Sequence, residues 1–123
     1  MQIIHLTFRI ILTISIVLIS FLSIQEVDIE SKIKILDKFV HFFCFTYLTA
    51  ISWLSRIFDK EFLVYVIVLA YGILIEVVQI YVPYRSFEFL DIFADFLGIL
   101  GGIILIKIFK NFYPNYWINI FKP

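Results

Sequence analysis

Polar side chains are what this chain has least of. Charged residues make up 16% of its 123 positions and hydrophobic ones 63%, and the mean hydropathy is +1.03. A soluble domain of this size would leave most of that apolar surface wet, so a water-soluble fold is excluded. An excess of either charge is also missing, since ten Lys and Arg balance ten Asp and Glu. With no basic field, nucleic acid is excluded as a partner. The one cysteine, Cys44, rules out an internal disulfide and reads as a small apolar core residue. The four glycines and three prolines form no linker or low-complexity tract. No self-similarity appears at periods of roughly 20–50 residues, so residues 1–123 read as one domain. Richness in Ile, Phe, Lys and Asn fits an AT-rich bacterial genome.

What fills the chain instead is four apolar runs, at residues 6–24, 39–54, 62–82 and 89–109. About 20 apolar residues in a helix cover a hydrocarbon core of roughly 30 Å. Backbone groups in lipid must bond within their own segment, so the runs are helices rather than open strands. The second run is short, and its helix is expected to begin near Asp37, a residue suited to an N-cap. The reading is an all-α integral membrane four-helix bundle, with helices at about 6–24, 37–54, 62–82 and 89–109. Residues 110–123 read as an interfacial aromatic tail with Tyr113, Tyr116 and Trp117, broken at Pro114. The first run outlasts an ordinary signal-peptide core, and Ser20-Phe21-Leu22-Ser23 is a poor cleavage site, so it reads as a retained span. Between the first two runs, alternating Val27, Ile29, Ile33 and Ile35 suggest an extended piece folded back on the bundle.

Four crossings put both ends of the chain and the 55–61 loop on one side, with Arg9, Arg56, Lys60, Lys107, Lys110 and Lys122. The other side carries Lys32, Lys34, Lys38 and Arg85. Six basic residues against four place both termini in the cytoplasm.

The polar residues that do occur are not scattered. Asp37 and His41, Glu76 and Gln79, Arg85 and Ser86, and Asp91 and Asp95 all fall at, or just inside, ends of the apolar runs. In a four-span topology those ends share one leaflet whichever way the protein inserts. A charge within hydrocarbon costs a few kcal/mol or more, so it is kept with a partner or a task. Asp37 and His41 are four residues apart and lie on one helix face, where the carboxylate can orient the ring. Glu76 and Gln79 share a face three residues apart. Glu76 lies deepest and needs a partner, for which Arg85, His41 and Gln79 are available. Asp91, Asp95, Gly98 and Gly102 form one stripe, with carboxylates at its outer end and a Gly-x-x-x-Gly pair that offers a face for close helix packing.

This ordered series resembles the VanZ-like family of small bacterial membrane proteins. The resemblance rests on Asp37-Lys38-x-x-His41-Phe42, then Glu76-x-x-Gln79 with Pro83-x-Arg85-Ser86, then Asp91-x-x-x-Asp95-x-x-Gly98-x-x-x-Gly102, and it covers roughly residues 30–110. It implies a multi-pass protein of the bacterial cytoplasmic membrane and cell envelope. The family's named member is tied to low-level antibiotic resistance, against the lipoglycopeptide teicoplanin. The family pattern usually carries Asn where this chain has Asp95. Asp91 is therefore expected to be the charged member of the pair, near Arg85, with the deeper Asp95 protonated and donating a hydrogen bond in imitation of that Asn.

Two functional classes follow. In the first, the outer-leaflet end binds a membrane lipid headgroup or a lipid-linked wall precursor through Asp37, His41, Glu76, Gln79, Arg85, Ser86, Asp91 and Asp95. Arg85 would grip a phosphate or carboxylate. In the second, the protein is an intramembrane enzyme on such a lipid, with Asp37 and His41 as an oriented general base and Glu76 as partner acid. One histidine with several carboxylates can bind Mg²⁺ or Mn²⁺, but there is no HExxH pattern and no second nearby histidine. The reading therefore assigns no metal ligand and no cofactor. A proton or ion path is disfavoured by the apolar inner halves of the helices.

Overall fold

The computed structural model describes residues 2–25 and 34–115. Its elements are α1 (Gln2–Ser23), α2 (Lys34–Ser55), α3 (Glu61–Gln79) and α4 (Phe89–Phe112), with no strand among the described residues. All four are long and apolar enough to cross a membrane. The shortest, α3 with 19 residues, rises about 28 Å at 1.5 Å per residue, close to the hydrocarbon thickness.

The helix bounds differ from the sequence expectation, and each difference has a local cause. Residue α2 begins with is Lys34, so Asp37 lies inside its first turn and is not the N-cap. Asp28 and Ser31, both residue types that cap helices, precede Lys34 in the sequence, so Asp37 was one of several start signals on offer. At the end of α3, bonds from Ile80 N to Val77 O, Tyr81 N to Val78 O and Val82 N to Gln79 O tighten the chain ahead of Pro83. The regular helix therefore stops at Gln79, three residues short of expectation. In α4, Lys107, Lys110 and Asn111 stay helical, so the expected tail from 110 starts later; the break comes at Tyr113, which precedes Pro114. The expected extended stretch at Val27, Ile29 and Ile33, and the tail residues Tyr116 and Trp117, lie outside the described residues.

The core lies between α2, α3 and α4, around Phe45, Leu48, Ile51, Val64, Val68 and Ile99. From α1 only Leu12 is buried, with Phe8 and Ile19 partly buried against the core, and most of its other large aliphatic residues face outward as a lipid-facing helix requires. Packing is tightest where the glycine stripe of α4 meets α2. A Cβ at Gly98 would come 2.5 Å from the Phe42 carbonyl oxygen, and one at Gly102 would come 2.6 Å from Thr49 Cβ. Only glycine permits that approach. Thr46 Oγ1 adds a polar tie, 2.9 Å from the Gly98 carbonyl oxygen of the facing helix.

At the end of the bundle opposite the glycine-side carboxylates, Arg9 of α1 closes the C-terminus of α2. Its Nε donates to Ser55 O and an Nη to Arg56 O, each at 3.0 Å. These carbonyls have no helical partner, and a cation there also suits the negative end of the helix dipole. Nearby, Glu61 accepts hydrogen bonds from Trp53 Nε1 and from Lys110, tying α3 to α2 and α4.

Candidate functional site

The opposite end gathers the sequence-predicted polar residues. It is formed by the C-terminal ends of α1 and α3 and the N-terminal turns of α2 and α4. Asp37 and Asp91 both sit in first helical turns, where the positive ends of two helix dipoles favour carboxylates. Glu76, Asp91 and Asp95 are 0%, 4% and 1% exposed, as buried as core leucines.

His41 is the centre of this cluster. Its Nδ1 lies 2.7 Å from Asp95 Oδ1. With Asp95 ionised, Nδ1 is the atom that holds the proton and donates it, since a carboxylate carries no hydrogen. The other ring nitrogen, Nε2, faces Asp91 Oδ2 at 3.8 Å, and Asp37 Oδ2 and Glu76 Oε1 at 4.0 Å each. Phe45, one turn further along α2, lies nearly parallel to the imidazole and closes the site from below. The sequence spacing names Asp37 as the group that orients the ring. The orienting partner is Asp95, because the close α2–α4 approach at Gly98 brings that carboxylate against Nδ1.

The carboxylates are themselves held from behind. Glu76 Oε2 accepts the backbone N–H of Glu88 at 3.2 Å, while Oε1 is buried without a hydrogen-bond partner. Asp91 Oδ1 pairs with the Lys38 ammonium, which also reaches Glu88. Arg85, expected beside Asp91 or Glu76, instead turns to the chain just after α1 and donates from Nε to Gln25 O at 3.4 Å. Gln79 likewise donates from Nε2 to Ser23 O, at the end of α1, at 3.1 Å. The Lys38 ammonium beside Glu88, which lies just ahead of α4, holds the Glu88 carboxyl below the ordinary carboxylate range.

Of the predicted residues, Asp37, His41, Glu76, Asp91 and Asp95 thus converge, whereas Gln79 and Arg85 form a rim against α1. Ser86 stands apart from the histidine, in the wall of an adjoining recess. Three positions that matter here carry no site role in the sequence reading. Lys38 lies three residues before His41, a spacing that shares a helix face and was the available signal. Glu88 shows no such signal, since its role depends on the turn geometry ahead of α4. Gly72 of α3 is the third, because a Cβ there would come 2.7 Å from Asp95 Oδ2.

Two hollows meet at this end. A cavity of about 190 Å³ is walled by apolar residues of α1, α2 and α3, Ile19, Leu22, Val40 and Ile75 among them, with Asp37, His41, Gln79 and Arg85. A recess of about 170 Å³ lies among Lys34, Ser86, Glu88 and Asp91. Asp37, Gln79 and Arg85 belong to the walls of both. Asp37, His41 and Asp91 also bring one potential ligand atom each to within 4.8 Å of one another.

Such a cluster is not the economical way to hold apolar helices together. A buried polar atom without a partner costs about 1–3 kcal/mol, and replacing buried ion pairs by packed hydrophobic groups is often neutral or stabilising. The arrangement points to a task beyond packing.

Comparison with curated proteins and with solved structures finds no match. A family model described as VanZ/LLP1 matches residues 2–110, from the first residue of α1 into the last turns of α4. That span takes in every residue of the polar end and all four membrane-crossing helices, so the chain is a multi-pass membrane protein that belongs to the VanZ/LLP1 family.

Proposed function

We propose that the protein acts in the cytoplasmic membrane of a bacterial cell envelope, and that its polar end faces the outer leaflet and binds a lipid headgroup or a lipid-linked wall precursor. The supporting observation is the pair of hollows that share Asp37, Gln79 and Arg85. One is largely apolar and suits the root of a hydrocarbon chain; the other is polar and suits a charged headgroup. Among the described residues, Arg85 is engaged only through Nε, which leaves its terminal nitrogens for a phosphate or carboxylate. Occupying such a precursor would alter access of a glycopeptide such as teicoplanin to its target, and this links the site to susceptibility.

Binding tests this directly. The protein in nanodiscs should bind a fluorescent lipid-linked wall precursor saturably, and Arg85→Ala should weaken binding about tenfold or more, with Arg85→Lys recovering only part. Equal binding by wild type and Arg85→Ala would refute the headgroup role. In the source organism, loss of the gene should shift teicoplanin susceptibility, and the Arg85→Ala gene should not restore it.

One observation favours an enzyme as the second reading. His41 is held by Asp95 through Nδ1, so Nε2 is aimed and available as a general base, with Glu76 as a buried partner acid. On that reading His41→Gln abolishes turnover of the lipid while leaving its binding in place. Retention of the full phenotype by His41→Gln would remove proton transfer and leave binding.

A further inference from the structure

We propose that the polar end is a binding site for a divalent first-row transition-metal ion, ligated by His41 Nε2 and one oxygen each of Asp37, Asp91 and Glu76. The metal site does not depend on lipid binding. Four features of the geometry carry it.

The first is the disposition of the histidine. A metal-bound imidazole nearly always donates its other ring N–H to a carboxylate or carbonyl, which fixes the tautomer and aims the free nitrogen. Asp95 Oδ1, 2.7 Å from Nδ1, occupies that position. The second is the division of labour within the carboxylates. Asp91 gives one oxygen to Lys38 and turns the other to Nε2. Glu76 gives one oxygen to the Glu88 N–H and turns the other to Nε2. In each, one oxygen is anchored and the second is presented.

The third feature is an orphan. Glu76 is fully buried, and Oε1, the oxygen facing His41 Nε2 at 4.0 Å, has no hydrogen-bond partner. At that separation it is too distant to accept a proton from the ring, so nothing among the described groups satisfies it. An ion between the two would. The fourth is scale. Metal–ligand bonds of about 2.1 Å set ligands about 3.0 Å apart when adjacent and about 4.2 Å apart when opposite. The three oxygens lie 3.8–4.0 Å from Nε2, and the Asp37, His41 and Asp91 atoms lie within 4.8 Å of one another, a small side-chain closure away from enclosing an ion.

Charge agrees with this. With His41 neutral and the carboxyls ionised, the five groups Asp37, Glu76, Glu88, Asp91 and Asp95 face three cations at this end, Lys34, Lys38 and Arg85. A dication would offset the excess. A mixed set of imidazole and carboxylate suits Mn²⁺, Fe²⁺ or Zn²⁺ better than an all-oxygen cage for Ca²⁺ would.

The test uses the full chain in detergent, stripped with chelator and titrated with Mn²⁺ under electron paramagnetic resonance. One equivalent of Mn²⁺ should lose its free-ion signal, and the bound ion should show spin-echo modulation from an imidazole nitrogen. The modulation is read on wild-type protein, so it stands even where a variant misfolds. His41→Ala and Asp91→Asn should each loosen binding at least tenfold. Asp95→Leu, which frees the imidazole without touching the ion, should cost about 10–100-fold, and Asp95→Asn, which keeps an acceptor for Nδ1, should recover most of it. Glu61→Gln, at the other end of the bundle, should change nothing. No stoichiometric binding, bound Mn²⁺ without nitrogen modulation, or equal affinity in His41→Ala would overturn the site.

Discussion

His41 is oriented by Asp95 on the facing helix, not by Asp37 on its own: the Nδ1–Oδ1 distance is 2.7 Å, against 4.0 Å between Nε2 and Asp37 Oδ2. A group from a second helix fixes the ring in both rotation and depth. Asp95 and Asp91, one turn apart on α4, consequently have different jobs, the first behind the ring and the second in front of it beside Lys38.

Asp95→Asn should be mild, because the amide oxygen can still accept the Nδ1–H. Asp91→Asn should impair function, because it removes one of the two negative charges beside Lys38 and changes the group facing Nε2. The phenotype in the source organism, read with membrane abundance, checks this. Equal damage from the two would show that the site needs both carboxylates for the same purpose.

Glu76 gives a second contrast. Glu76→Gln keeps an acceptor for the Glu88 N–H, whereas Glu76→Leu leaves that N–H without one. The leucine variant should therefore lose about 1–3 kcal/mol more than the glutamine variant at this contact, measured by thermal unfolding in detergent. A leucine variant as stable as the glutamine variant would mean that the N–H finds another acceptor.

The glycines of α4 are not equivalent. A Cβ at Gly98 meets the Phe42 carbonyl oxygen at 2.5 Å, but one at Gly101 meets side chains alone, the Thr46 hydroxyl at 3.1 Å and the Phe42 ring at 3.4 Å. Gly98→Ala should cost about 1–3 kcal/mol through forced separation of α2 and α4, and Gly101→Ala clearly less. Thermal unfolding of the two variants decides it, and the reverse order would contradict the packing described.

Acid should weaken the Lys38–Glu88 pair. The folded Glu88 carboxyl lies below its ordinary range, so its contribution to stability is fully present above the unfolded value of about 4.3. That contribution is lost as pH falls through the lower folded value. Wild type should be more stable than Glu88→Gln at neutral pH, by under about 1 kcal/mol for a pair still partly open to water, and the difference should vanish towards pH 3. A difference that grows on acidification would reverse the assignment.

Orientation is open to chemical labelling. In a Cys44→Ser background, Glu30→Cys should react with an impermeant thiol reagent added outside intact cells, and Asp59→Cys should not. The opposite pattern would place the polar end in the cytoplasm.

The four spans were legible because length and hydropathy alone define them, and the common end for the polar residues follows from an even number of crossings. Helix ends were less legible, since Lys34 and Lys110 continue helices past the apolar runs into interfacial surroundings, so the edge of the hydropathy does not mark the edge of the helix. Partner choice was hidden for a different reason. Spacing along α2 ties Asp37 to His41, but Asp95 and Lys38 find their partners through the rotation of α4 against α2, which the steric fit of Gly98 and Gly102 sets. Glu88 was invisible because its N–H meets Glu76 only after the turn at Pro83 has been made.

The tight seam between α2 and α4 also has a consequence for biogenesis. As the chain emerges, α2 enters the bilayer carrying Asp37, Lys38 and His41, and α3 follows with Glu76, while Asp91, Asp95 and both seam glycines arrive only with the final helix. Until then the histidine has no carboxylate behind it and the lysine has no counter-ion. Assembly is therefore completed from the last-made segment backwards, and a chain stopped after α3 presents the insertion and quality-control machinery with unneutralised charge in lipid.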